Sequence, residues 1–158
     1  MRQEAIKSEI IRTIVDFLKD SKTVNAMFKK YNTPIDDIDN VEILFSNIPV
    51  SAKTKDKVIY INEAFLEDGA FAEELHYFVH ELTHWLQQHC GDPFDLIGRS
   101  GEFYLDMLTE IEAFCFQVKF IREFYGDEKA EEYVNNLLDF HGLKGKEREK
   151  RKEIFLSI

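Results

Sequence analysis

Apolar residues recur with helical spacing at the start of the chain, and the period then changes to that of strands. Residues 4–19 are predicted to form an amphipathic helix, and a second, short helix is predicted over residues 24–31. The segments 41–45 and 58–61 are rich in β-branched and aromatic residues, which is typical of strands. A polar stretch separates them, so we expect the two strands to form a long hairpin.

The second half of the chain is predicted to be helical. The pattern indicates helices over residues 71–89, from about 103 to 124, and over 127–140, each followed by a glycine. The apolar tail at 154–156 is expected to dock on the body. The resulting fold class is α+β, mostly helical, with a small sheet beside the helix at 71–89. No repeat or linker interrupts the pattern, so residues 1–158 are expected to form a single domain.

Composition supports a folded globule. The chain is 44% hydrophobic and 13% aromatic, which is unlike a disordered segment. No apolar run approaches the roughly 20 residues that a membrane helix needs, and the start lacks a secretory signal. We therefore expect a cytoplasmic protein with no membrane partner, in which Cys90 and Cys115 are reduced thiols.

The charge of the chain disfavours nucleic acid as a partner. Its formal net charge is -10, whereas phosphate binding requires a cationic face. Basic residues do cluster over 144–152, but Glu147 and Glu149 are interleaved with them. This mixture indicates a solvated helix face.

The helix predicted at 71–89 carries a metal-binding motif. His80-Glu81-Leu82-Thr83-His84 matches H-E-x-x-H. Residues four apart lie above one another on a helix, so two imidazoles can reach one tetrahedral ion. The intervening glutamate can take a proton from a water that the metal activates. The motif therefore predicts one Zn²⁺ with His80 and His84 as ligands and Glu81 as general base.

The helical wheel places this motif away from the apolar stripe. Leu75, Leu82 and Leu86 fall within about 40° of one another, and the two histidines and Glu81 lie on the opposite face. The histidines could still be ordinary surface residues. Bulky neighbours such as Trp85 instead indicate a helix that is buried on more than one side.

A catalytic zinc requires a third protein ligand and an open position for water. The histidine that follows six residues after the motif in metzincins is absent, because that position is Cys90. On a continuing helix the Cys90 thiol would point about 240° away from the second histidine. A thiolate ligand is therefore disfavoured.

The better candidates are Glu110 and Glu112 on the next long helix. They lie two residues apart and point to opposite sides, so at most one faces the metal. Glu112 falls within an apolar stripe with Leu105, Leu108 and Phe116. Glu110 lies on the face of the helix that is predicted to contact solvent. A buried carboxylate requires a compensating cation, either zinc or a paired Arg or Lys. We favour Glu112 as the third ligand and leave Glu110 as the alternative.

At these two motifs the chain resembles the gluzincin type of zincin metallopeptidase. The resemblance rests on the motif within Val79–Gln87 followed by Glu110-Ile111-Glu112-Ala113, and it covers about residues 58–120. It is strongest to small single-domain metallopeptidases of bacteria and their phages. The specificity of the match comes from the two motifs in order.

The resemblance implies a zincin-like fold, with His80, His84 and Glu112 as zinc ligands and Glu81 as catalytic base. It also implies that the strand Lys57 to Ile61 aligns an extended peptide by backbone pairing. Larger gluzincins also use a Tyr or His to stabilise the oxyanion. The candidates for that role here are Tyr104, His76 and His141, and the sequence selects none of them.

The predicted function is hydrolysis of protein or peptide substrates by a zinc-dependent endopeptidase. Two other readings stay open. One is a catalytically inactive, zinc-stabilised protein-binding module, although such a site would not require Glu81 and usually closes with a fourth protein ligand. The other is a helical interaction protein without metal.

Overall fold

A computed structural model describes residues 2–64, 71–90 and 107–157. The described helices are α1 (Arg2–Lys19), α2 (Lys22–Lys30), α3 (Phe71–His89), α4 (Leu108–Tyr125), α5 (Asp127–Phe140) and α6 (Gly145–Leu156), with a short 3₁₀ helix at Ile35–Asn40. The described strands are β1 (Glu42–Ser46), β2 (Ala52–Lys55) and β3 (Val58–Asn62). The architecture is α+β and mostly helical, with one small mixed sheet, as predicted.

The sheet corrects the predicted hairpin. Its strand order is β1-β3-β2, with β1 parallel to β3 and β2 antiparallel to β3. The hairpin instead joins β2 to β3 through Asp56 and Lys57, which both have positive φ, as a two-residue hairpin turn requires. Strand β2 was missed because its sequence is polar: every second residue is exposed, and the others are only half-buried.

Helix α3 packs on β2 and β3 and, on its other side, against α4. One core lies between α1, α2, the sheet and α3, and it contains Leu18, Val24, Met27, Phe28, Ile59, Val79, Leu82 and Leu86. A second core joins α4, α5 and α6 and contains Phe114, Val118, Ile121, Val134, Leu138 and Phe155. Phe120 of α4 also belongs to the first core. Because α4 thus contributes to both cores, most of its circumference is buried.

Several element boundaries confirm the sequence pattern. Helix α3 spans the predicted 71–89, α5 spans the predicted 127–140, and Phe155 of the tail is buried. Gly126 ends α4 with φ +91, which favours glycine. The predicted helix start near residue 103 and the loop at 92–101 lie outside the described residues.

The two cysteines are free thiols in the structure. None of the helices in the described ranges is long and apolar enough to span a membrane. The basic residues of the tail lie on α6, where Arg148 pairs with Asp139 and Lys152 pairs with Glu131. The prediction of a charged helix face at this position is thus confirmed.

Candidate metal centre

The two histidines of the motif lie on α3, one turn apart, and face α4. The face that the wheel placed opposite the apolar core is not open to solvent, because α4 covers it. His80 is only 5% exposed, and its ring contacts that of Phe114 on α4, with 4.5 Å between the ring centroids. The histidines therefore lie in a buried seam between two helices.

Glu110 on α4 joins both imidazoles at one carboxylate oxygen. Its Oε1 lies 3.0 Å from Nε2 of His80 and 2.9 Å from Nε2 of His84. Each residue thus offers one ligand atom, and these atoms lie within 4.8 Å of one another. Zinc bonds of about 2.0 Å at tetrahedral angles separate ligand atoms by about 3.3 Å. The two distances from Oε1 of Glu110 to the imidazole nitrogens are within a few tenths of an ångström of that value, so the three groups could hold one ion.

The charges of the cluster are those that a divalent cation would stabilise. Burial acts to raise the pKa of Glu110, but hydrogen bonds from His80 and His84 outweigh it and hold that pKa well below its ordinary value. Burial acts to lower the pKa of His84, but Glu110 outweighs it and raises the pKa to about 9. This raised pKa favours the protonated form of His84 beside the Glu110 carboxylate. A bound metal ion would take the place of that proton, because a histidine ligand must be deprotonated.

Glu112, the favoured third ligand, does not face the imidazoles, and the structure corrects this prediction. Its Oε1 accepts hydrogen bonds from the Tyr31 hydroxyl and from Nε2 of Gln87, and its Oε2 accepts one from Nζ of Lys30. Glu112 is buried, as expected, with 8% of its surface exposed. Lys30 supplies its compensating charge, as in the alternative of a glutamate paired with a lysine.

The choice between the two glutamates failed because of how α4 packs. The described helix begins at Leu108, which is 59% exposed, and Leu105 lies outside the described residues. The predicted apolar stripe around Glu112 therefore does not face a core at the first residue of α4. Since α4 is buried between two cores, both glutamates lie on buried faces, and a single apolar stripe could not tell them apart.

Glu81, the predicted general base, lies beside the cluster at the edge of the sheet. The hydroxyl of Thr54 on β2 donates to Oε1 of Glu81 at 2.9 Å and to its backbone carbonyl at 3.0 Å. Burial raises the pKa of Glu81, while charge on the two histidines and the Thr54 hydrogen bond oppose the rise. The Thr54 hydrogen bond thus holds the carboxylate next to the imidazoles, where the charge of Glu110 also acts to raise its pKa.

Two glutamines hold the outer nitrogens of the imidazoles. Oε1 of Gln87 lies 2.8 Å from Nδ1 of His84, and Oε1 of Gln117 lies 2.8 Å from Nδ1 of His80. The amide nitrogen of Gln117 lies 2.8 Å from Nδ1 of His76. Burial, with a smaller contribution from nearby His80, lowers the pKa of His76 to about 4. Because the two glutamines hold the Nδ1 atoms of His80 and His84, both rings turn Nε2 toward Oε1 of Glu110.

A cavity of about 510 Å³ opens beside His80 and Glu81. One wall is the start of β2, and the other is formed by α4, α5 and the residue after α5; its lining includes Ser51, Ala52, Tyr77, Phe114, Tyr133, Leu137, Phe140 and His141. Of the oxyanion candidates, His141 lines this cavity and His76 binds Gln117. Tyr104 lies outside the described residues. Cys90 instead contacts Thr33, at 3.2 Å.

Sequence reasoning missed several side chains of the site. Gln87 follows His84 by three residues on an apolar helix, so its position on the same face was a usable signal. Gln117 is buried at 1% exposure but carries no local pattern. Thr54 and Lys30 come from elements far away in sequence, and nothing local marks them.

The arrangement places the carboxylate of Glu81 beside three groups that could hold one metal ion. Comparisons of the chain with protein-family models, with curated proteins and with solved structures gave no match.

Proposed function

We propose that this chain is a zinc-dependent endopeptidase of zincin-like fold, with His80, His84 and Glu110 as the three ligands of one zinc ion and Glu81 as general base. The observation that carries the proposal is the convergence of both Nε2 atoms on one carboxylate oxygen of a different helix. Two histidines and a glutamate are a donor set that catalytic zinc uses. Within the described residues the cluster supplies three ligands, which leaves a position for water.

The placement of Glu81 favours hydrolysis over a purely structural site. When bound, zinc activates a water molecule and polarises the carbonyl of the substrate. Glu81 would take a proton from the attacking water and pass it to the leaving amine. Thr54 keeps the carboxylate in position for both transfers, because its hydroxyl donates to Oε1. A structural metal site needs neither group.

The surroundings of the cluster suit an extended polypeptide. In the described part of the chain β2 pairs only with β3, so β2 is an edge strand, while β3 has a partner on each side. The strand expected to align a peptide, Lys57 to Ile61, is thus internal, and β2 is the better candidate for backbone pairing. Ala52 at the start of β2 lines the cavity beside Glu81.

Substitution of Glu81 tests this proposal most directly. Glu81→Gln removes the base but keeps the size of the side chain, so it should retain one zinc per chain and lose peptide cleavage. The matched control is Glu73→Gln, an exposed position on the same helix, which should retain both. Zinc is measured by elemental mass spectrometry and cleavage on a mixed peptide library, with chelated protein as the blank.

The alternatives predict different results in the same assay. A zinc-stabilised binding module would hold zinc in the wild-type protein and in both variants and would cleave nothing. A helical interaction protein without metal would hold no zinc and would show no change in melting temperature with a chelator. Either result would contradict the proposed activity.

A further inference from the structure

The amide of Gln87 connects a proposed metal ligand to the buried Glu112. Its Oε1 lies 2.8 Å from Nδ1 of His84, and its Nε2 lies 3.0 Å from Oε1 of Glu112. The same Nε2 lies 3.1 Å from the backbone carbonyl of Thr109. Gln87 is fully buried, so water does not complete its hydrogen bonds and each of its polar atoms must be satisfied by protein.

The partners of this amide fix its orientation. A backbone carbonyl and a carboxylate only accept hydrogen bonds, so the NH₂ group of Gln87 must face Thr109 and Glu112. Its oxygen then faces His84 and can only accept. Nδ1 of His84 must therefore carry a hydrogen. In the neutral imidazole the lone pair is then on Nε2, the atom that lies beside Glu110.

Glu112 can hold this orientation because it is itself anchored as a carboxylate. Lys30 and the Tyr31 hydroxyl both donate to it. Because both of these groups donate, the carboxylate oxygens of Glu112 act as acceptors, also toward the NH₂ group of Gln87. The burial of Glu112 thus has a role in the site, although this residue does not reach the position of the metal.

We propose that Gln87 and Glu112 form a positioning relay that sets the tautomer of His84, so that Nε2 is the nitrogen available to a divalent cation. The inference rests on the proposed metal site and extends it to a residue of α3 and a residue of α4 that would not touch the ion. Outer partners of this kind contribute about 10- to 100-fold to metal affinity. Gln87 and Glu112 are therefore positioning residues and not catalytic ones.

The test combines a measurement of zinc affinity with an NMR measurement of which His84 ring nitrogen carries the hydrogen. Gln87→Leu and Glu112→Leu should each weaken zinc binding by about 10- to 100-fold in competition with a chromophoric chelator. The matched control is Gln88→Leu, because the Gln88 amide accepts from the backbone N–H of Lys57 and not from an imidazole. This control should bind zinc as the wild type does.

NMR of the wild-type protein loaded with an NMR-active cadmium isotope should show coupling of the metal to Nε2 of His84 and a hydrogen on Nδ1. This measurement needs no variant, so the relay stays testable if a leucine variant fails to fold. Coupling to Nδ1 of His84 would overturn the relay. Unchanged zinc affinity in folded Gln87→Leu would overturn it as well.

Failure of the relay and failure of the proposed function give different results. Protein that binds metal through Nε2 but cleaves no peptide keeps the relay and loses the peptidase proposal. If no metal binds, the tautomer is read in the metal-free protein once His84 is deprotonated. A hydrogen on Nδ1 of His84 in the metal-free protein would support the relay without the metal site. A hydrogen on Nε2 would contradict both the relay and the metal site.

Discussion

The carboxylate of Glu110 lies 2.9 Å from Nε2 of His84, although the two residues are 26 positions apart and belong to different helices. The same oxygen lies 3.0 Å from Nε2 of His80. The contact therefore closes a three-residue cluster that α3 alone could not form. Helix packing makes the candidate metal centre, and the following predictions test what this centre does.

Removal of Glu110 should abolish tight zinc binding. Glu110→Ala deletes a ligand atom, so its zinc affinity should fall by more than about 100-fold, beyond the range expected for outer partners such as Glu112. The measurement is competition with a chromophoric chelator at fixed pH. A smaller loss in Glu110→Ala than in Glu112→Leu would show that the geometry without metal does not represent the loaded site.

Removal of the Thr54 hydroxyl should slow catalysis without loss of zinc. Thr54→Val removes the hydrogen bond to Oε1 of Glu81, and one such bond of about 1.4 kcal/mol corresponds to a roughly tenfold decrease in kcat. Burial raises the pKa of Glu81 and the Thr54 hydrogen bond lowers it. Without that bond, the acidic limb of the pH–rate profile should move to higher pH.

Thr13→Val is the matched control for this prediction, because the Thr13 hydroxyl donates to the carbonyl of Glu9 at an exposed position of α1. It should leave kcat, the pH profile and the zinc content unchanged. An unchanged acidic limb in Thr54→Val would mean that Thr54 does not act on the base.

Glu123 should make stability depend on pH. Burial acts to raise its pKa, but bonds from the backbone N–H groups of Thr23 and Lys22 and from the Ser21 hydroxyl outweigh it, so the pKa is lowered from 4.5. A carboxylate whose folded-state pKa is depressed stabilises the protein above its unfolded pKa. That contribution is lost as the pH falls through the folded-state pKa.

Urea unfolding at a series of pH values tests this expectation. The free energy of unfolding should fall more steeply below about pH 5 in the wild type than in Glu123→Gln, and the two proteins should differ most near neutral pH. Glu149→Gln, at an exposed position of α6, should follow the wild type. Parallel curves for the wild type and Glu123→Gln would contradict the prediction.

We expect that a glycine is needed at position 126 because of its backbone conformation, and not because a side chain would clash with its neighbours. Its φ of +91 ends α4, and an added Cβ would meet nothing within 4 Å. Gly126→Ala should therefore cost about 1–3 kcal/mol of unfolding free energy from backbone strain alone. Equilibrium urea denaturation measures the change, with Lys150→Ala on exposed α6 as control. An alanine variant as stable as the wild type would show that the chain can leave α4 by another route.

The local elements of this protein could be predicted from its sequence. Apolar periodicity located α3 and α5 close to their observed bounds. This was possible because the spacing of apolar residues within each helix is a local property of the sequence. The pair His80 and His84 was equally local, since a separation of four residues is a property of the helix. Strand β2 was missed because it is a polar edge, with no apolar alternation to mark it.

Only the tertiary structure decided how these pieces meet. Both Glu110 and Glu112 are on one helix, and which of them faces the imidazoles depends on the rotation of α4 against its neighbours. The sequence indicated that Glu112 is buried, but burial requires a compensating cation without specifying one. Lys30, from the end of α2, supplies that charge. The positions of Lys30 and Thr54 follow from long-range packing, which a local sequence pattern does not predict.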